Sequence, residues 1–143
     1  MITRRLFIAI ALVFFISCNG TPDDKIIGYA KEKYGDDFKE GVVDLSAVFN
    51  FQWDKMYVFD PLLYPEDISK AIGFKYDGEI VPDDNYLLLF VKDSSIVKQY
   101  PYYRIRIGFS DDNYTGVYKV EHKSAKYKVV FRGKDDYWLY KIK

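Results

Sequence analysis

Tyr86-Leu87-Leu88-Leu89-Phe90-Val91-Lys92 runs into Asp93-Ser94-Ser95 and then Ile96-Val97-Lys98-Gln99-Tyr100. The apolar run bounded by turn formers predicts a central β-strand. Asp93-Ser94-Ser95 predicts a tight turn, and the next segment is expected to pair back as a hairpin. From Phe74 onward the pattern stays β. Arg104 to Phe109 alternates, with Ile105, Ile107 and Phe109 inward and Arg104 and Arg106 outward. Val117 to Glu121 is a further strand. Tyr127 to Arg132, the turn Gly133-Lys134-Asp135-Asp136, and Tyr137 to Ile142 predict a closing hairpin.

Before the hairpin the signals are mixed. Thr21-Pro22-Asp23-Asp24 predicts a helix start: Thr as cap, Pro in the first turn, acids beside the positive helix end. Ile26, Ile27, Ala30 and Tyr34 share a face at helical spacing, and Gly35 ends the segment. Gly41 to Phe51 predicts a strand with an irregularity near Ser46. Trp53 to Phe59 predicts a second strand, stopped by Asp60-Pro61. Pro65-Glu66-Asp67 opens a short helix through Ile72, closed by Gly73. Helices early and a meander late predict an α+β fold: an N-terminal helix and one short helix packed on a mainly antiparallel sheet of about 6–7 strands. Five Asp-Asp pairs punctuate the chain, two of them followed by Asn-Tyr at Asn85-Tyr86 and Asn113-Tyr114. They read as recurring turn chemistry, since Asp and Asn favour turns and a Tyr then opens a strand.

The N-terminus carries a different message. Arg4 and Arg5 precede an unbroken apolar run of 11 residues, Leu6 to Ile16. A bilayer-spanning helix needs roughly 20 residues, so the run fits the core of a secretion signal instead. Ser17, Cys18, Asn19 and Gly20 follow, and Cys18 is the sole cysteine. Phe15-Ile16-Ser17-Cys18 resembles the lipobox of a bacterial lipoprotein precursor, with Phe15 in place of the usual Leu. The resemblance covers the first 18 residues. It implies cleavage before Cys18 and acylation of its sulfur and new amino group. A single ~14-carbon chain binds membranes only marginally, which favours more than one acyl group. Asn19 is not the Asp that retains lipoproteins in the inner membrane of enteric bacteria. This points to the outer membrane, with a Gram-positive membrane as the alternative. The expected organisation is a signal peptide over 1–17, a lipidated tether over 18–24, and one globular domain over 25–143.

Composition bounds the rest. Losing Arg4 and Arg5 from 21 basic and 21 acidic residues leaves a net charge of about −2. No clustered basic face marks a nucleic-acid partner. With Cys18 committed to lipid, the fold has no disulfide and relies on packing. Fourteen Tyr, eleven Phe and two Trp supply large buried area for a β-rich core.

Candidates for chemistry are few. His122, the only histidine, lies in a strand end or turn, and no Gly-x-Ser-x-Gly is present. One histidine and a lipidated cysteine cannot form a usual zinc set. Ser110-Asp111-Asp112-Asn113-Tyr114-Thr115-Gly116 lacks the alternating ligands and closing Glu of a calcium loop. No cofactor, metal or catalytic group is therefore expected. Tyr100-Pro101-Tyr102-Tyr103 is the candidate partner-binding surface. In an extended segment the three rings cannot all face one core, and Pro101 bars a central ladder. Trp53-Asp54-Lys55-Met56-Tyr57-Val58-Phe59-Asp60-Pro61, continued by Pro65-Glu66-Asp67-Ile68 and Gly73, resembles a segment of small bacterial lipoproteins of uncharacterised function. That likeness covers about a fifth of the chain.

The expected function is a non-catalytic binding role in the cell envelope. The protein would be held to the membrane by acyl chains on Cys18 and face the periplasm or the cell surface, with a protein or glycan partner. The alternatives are a periplasmic immunity or inhibitor protein against a toxin or envelope hydrolase, and a glycan-binding accessory lipoprotein. Metabolic labelling with a fatty-acid analogue is expected to mark the wild-type protein and leave Cys18→Ala unlabelled and released from membranes. Labelling that persists in Cys18→Ala would overturn the anchor.

Overall fold

The computed structural model describes residues 20–102, 106–110 and 116–143. Residues 1–19, with Cys18 and the expected signal and lipobox, lie outside the described residues, as do Tyr103, Arg104, Ile105 and the segment 111–115. Among the described residues the fold is α+β, with three α-helices and eight strands. Helix α1 (Pro22–Tyr34) starts where Thr21 and Pro22 predict. The Thr21 hydroxyl accepts from the Asp24 N–H at 3.3 Å. Gly35, at φ 93°, ends it in a conformation that favours glycine. Pro22 to Asp24, expected to be tether, are thus the first helical turn of the domain. Tyr34 is exposed rather than on the buried face. It reaches over Gly41 and bonds to the Val42 N–H at 2.9 Å.

Strand β1 (Glu40–Asp44) is shorter than predicted. Asp44 caps a single turn, α2 (Leu45–Val48), by accepting from the Ser46 N–H at 3.0 Å. The irregularity near Ser46 is therefore a helical turn that ends the strand. Strand β2 (Lys55–Phe59) and helix α3 (Pro65–Ile72) follow, and Gly73 closes α3 in the left-handed conformation at φ 84°. Residues 74–85, expected to be β, form no strand, although Val81 bonds across to Leu62 and Leu63. Then come β3 (Tyr86–Lys92), β4 (Ser95–Tyr102), β5 (Ile107–Ser110), β6 (Val117–Glu121), a 3₁₀ turn (His122–Ser124), β7 (Lys126–Phe131) and β8 (Tyr137–Lys141).

The single sheet of 6–7 strands is corrected to two sheets of four. The first has the order β1-β7-β8-β5 and the second β4-β3-β2-β6. Pairing is antiparallel throughout except between β5 and β8, which run parallel. The second sheet is a wall with apolar residues on both faces. Met56, Val58, Leu88 and Phe90 join the first sheet, α1 and α2 in one core. Tyr57, Phe59, Leu87 and Leu89 face the opposite way, against Ile68 and Ile72 of α3 and against Val81. This two-sided burial accounts for the unbroken apolar run of β3.

The aromatic excess fills the space between the sheets. Phe109 stacks on Tyr118 with ring centroids 4.6 Å apart, and the Tyr118 and Tyr127 hydroxyls lie 3.1 Å apart in the interior. Trp53, ahead of β2, donates its indole N–H to the Phe49 carbonyl at 2.8 Å.

The start of α1 is clamped to the start of β5. Asp23 is 3% exposed and accepts from the Arg106 N–H at 2.6 Å, while the Arg106 guanidinium pairs with Asp24. Burial pushes the Asp23 carboxyl up to about 6, against the opposing pull of the Arg106 N–H and guanidinium and with a small push from Asp24. A carboxyl raised on folding binds more protons in the native state. Its contribution is complete below about pH 4 and lost as pH rises through about 6. Asp23→Asn keeps an acceptor and removes the titration. Denaturant unfolding is expected to show wild type losing about 2–3 kcal/mol relative to Asp23→Asn between pH 4 and pH 7. Parallel pH profiles would contradict the assignment.

Candidate functional site

A cleft of about 490 Å³ opens where the two sheets part at one end of the molecule. The second sheet contributes the end of β2, with Val58 and Asp60, the first residue of β3, Tyr86, and Tyr118 of β6. The first sheet contributes its edge strand β5 and, from the start of β8, Asp136 and Trp138. The floor is apolar: Val58, Ile107 and Tyr118 are buried. The rim is polar, with the Asp60 and Asp136 carboxylates and the Ser110 hydroxyl.

Local structure fixes each rim group. Asp60 follows the last ladder residue of β2, and its N–H is held by the Gly116 carbonyl at 3.0 Å. Asp136 ends the β7–β8 turn and takes the Trp138 indole N–H on one carboxylate oxygen at 3.3 Å. Trp138 sits in register with Gly108 across the parallel β5–β8 pair. A Cβ at Gly108 would meet three Trp138 ring carbons at 2.8–2.9 Å, so glycine is what lets the indole lie against β5. The Arg132 guanidinium stands 5.1 Å from the Trp138 ring centroid and donates to the Tyr140 hydroxyl.

The residues singled out in the sequence are placed differently. Tyr100 faces the core side of β4, half-buried, with its ring 6.1 Å from Phe90 and 6.5 Å from Phe49. Pairing with Leu88 sets this ring on the inner face, so Tyr100 is the one of the three tyrosines that the structure places toward the core. Pro101 does lie on an edge strand, opposite Leu87. The Tyr102 backbone pairs with Tyr86, while the Tyr102 side chain and all of Tyr103 lie outside the described residues.

His122 borders a recess of about 300 Å³ with Asp44 and Ser124. Asp44 is occupied in capping α2 through the N–H and hydroxyl of Ser46, and the His122 ring stands edge-on to Trp53 at 4.7 Å. No hydrogen bond joins His122 to Ser124 or Asp44, the links a nucleophile–base–acid relay uses. Among the described residues no group of three or more His, Cys, Asp or Glu is placed to hold a metal ion. No helix among them is long and apolar enough to cross a membrane.

The cleft residues escaped sequence reading. Asp60 and Asp136 read as turn residues, Tyr86 as a strand start and Trp138 as part of a hairpin. Gly108 within the alternating segment Arg104–Phe109 was the available signal, since a strand glycine marks a close approach. Comparison with known proteins adds nothing to this geometry: no family model, curated protein or solved structure matches the chain.

Proposed function

We propose that this is a lipid-anchored protein of the cell envelope with a non-catalytic binding role, and that the cleft between the sheet ends is its binding site. The observation that carries the reading is the cleft's make-up. An apolar floor with a few convergent polar groups at the rim, within the volume of ordinary small-ligand sites, is the usual form of a binding pocket. The anchor supports the same placement. Three residues separate Cys18 from Pro22, and these four steps of chain reach at most about 14 Å when extended. The start of α1 is clamped to Arg106, immediately before β5. Acylation of Cys18 therefore holds the cleft end of the domain close to the membrane.

The edge of β4 is a poorer route to a partner. It carries Lys98, the proline Pro101 and a register shift opposite Phe90 and Val91. Charged residues, proline and bulges are the features that blunt a sheet edge against pairing with another strand. A partner strand on β4 is disfavoured on those grounds.

The test is a titration of the ¹⁵N-labelled chain with a neutral disaccharide, an aliphatic diamine and a dicarboxylate. At least one is expected to move the Trp138 indole, Gly108 and Asp60 resonances together. Its affinity should fall about tenfold or more in Tyr86→Ala or Trp138→Ala, as for a truncated anchor residue. Silence of these resonances, or shifts confined to β4, would contradict the reading. A disaccharide as the bound ligand would make the protein a glycan-binding accessory lipoprotein, with the cleft in place of the Tyr100–Tyr103 surface.

A further inference from the structure

A second recess lies on the outer face of the wall, the side that α3 covers. It opens between β4 and the segment that leaves α3, with a volume of about 590 Å³. Phe74, Tyr76 and Ile96, all half-buried against the outer core, form its floor. Asp77, Ser94, Ser95 and Gln99 stand exposed at its rim. A smaller recess of about 180 Å³ continues past Tyr76 and Gln99 toward Pro82 and Pro101. The two share Tyr76 and Gln99 and so form one groove. From Ser95 to Pro101 it follows β4 for about 20 Å, at about 3.3 Å per residue. Both walls are held in place. The Tyr76 N–H donates to the Ser69 hydroxyl at 2.8 Å, and that hydroxyl donates to the Pro65 carbonyl of α3 at 2.8 Å. A Cβ at Gly78 would collide with the Tyr76 ring, so glycine lets the loop fold against it. On the other wall the Asp93 N–H is held by the Asp54 carboxylate at 2.7 Å.

The rim is free to serve a ligand. Among the described residues no hydrogen bond engages the side chains of Ser94, Ser95 or Gln99 or the Tyr76 hydroxyl. Hydroxyl and amide side chains both donate and accept. Lys75 and Asp77 pair with each other at 3.4 Å, so the mouth presents both signs of charge and favours neither. The polar partners on offer are side chains. The N–H and C=O groups of β4 lie in the plane of the sheet, not across its face. An extended peptide in the groove would find no ladder for its own amides. A chain of neutral sugars carries hydroxyls that match the rim in both senses, and the C–H faces of its rings suit Tyr76 and Ile96. We infer that this groove binds a linear neutral oligosaccharide, lying on the face of β4 rather than along its blunted edge. The inference is independent of the cleft and adds a second site to the molecule.

Titration of the ¹⁵N-labelled chain with cellotetraose, maltotetraose, tetragalacturonate and an uncharged hexapeptide tests it. At least one neutral tetrasaccharide is expected to move the Gly78 and Ser94 amides and the Gln99 side-chain amide together, leaving the Trp138 indole in place. Its affinity should not change with salt. Gln99→Ala is expected to weaken it about three- to tenfold, the scale of one lost neutral hydrogen bond. Tyr76→Ala should weaken it about tenfold or more, as for a truncated anchor residue. Gln99 is exposed on an edge strand, so its variant tests the groove even if Tyr76→Ala disturbs the fold. The inference is overturned if neither neutral tetrasaccharide moves these resonances, if tetragalacturonate or the hexapeptide binds the groove more tightly, or if both variants bind the sugar unchanged. A tetrasaccharide that moves Trp138 in place of Gly78 and Ser94 also overturns it, and leaves the cleft as the sugar site. Movement of Gly78 and Ser94 with Trp138 silent toward every ligand would support the groove and end the cleft as the site.

Discussion

Five consecutive buried residues, Leu87 to Val91, cannot be satisfied by a sheet with one wet face. Alternate side chains leave a strand on opposite sides, so this run demands apolar cover on both. Leu88 and Phe90 find it in the first sheet and the α1–α2 layer, Leu87 and Leu89 in α3 and the Val81 segment. The late strands consequently divide. One group forms the wall, and the other turns back to cover it. A fully buried side chain of this size contributes about 1.5–3 kcal/mol, so exposing the two or three large side chains on either face of β3 would cost about 3–9 kcal/mol, a large share of the roughly 5–15 kcal/mol that holds a domain folded. The cleft is a by-product of this division. It lies where the wall and its cover diverge, at the end of β2 and along the edge of β5.

How much of this was legible in the sequence follows from the range of the interactions. Caps are local, so both ends of α1 and of α3 could be read from Thr21, Pro22, Gly35, Pro65 and Gly73. Short-range hairpins were equally legible, as in β3–β4 and β7–β8. The division into two sheets was not. It depends on β5 pairing parallel with β8 and on β1 pairing with β7, contacts between segments far apart in the chain. Tyr100 illustrates the same limit from the other side. Three tyrosines around a proline do imply an edge strand, and β4 is one, but which ring turns inward depends on its pairing with Leu88. The site was less legible still. Asp60 and Asp136 are separated by most of the domain in sequence, and the sheet topology brings both to the lining of one cleft.

The functional reading draws on the same architecture. Binding through β4 conflicts with an edge that carries a lysine, a proline and a bulge. Binding through the cleft uses groups whose positions are set by the ladder ends: Asp60 by the end of β2, Tyr86 by the start of β3, and Trp138 by its glycine partner across β5–β8. Such a site is preformed, and preformed sites lose less free energy to ordering when a ligand arrives. The clamp from Asp23 to Arg106 ties the N-terminal end of the domain to the same edge strand.

The central claim is that β3 joins the two cores into one cooperative unit and so holds the cleft in a fixed shape. Native-state amide hydrogen exchange measures this directly. The account predicts that Leu88, Leu89 and Phe90 exchange only by global unfolding, with the same free energy as Val129 and Leu139 of the first sheet. Exchange of β3 together with α3 at a distinctly lower free energy than the first sheet would contradict it, because the wall would then open while its cover stays folded.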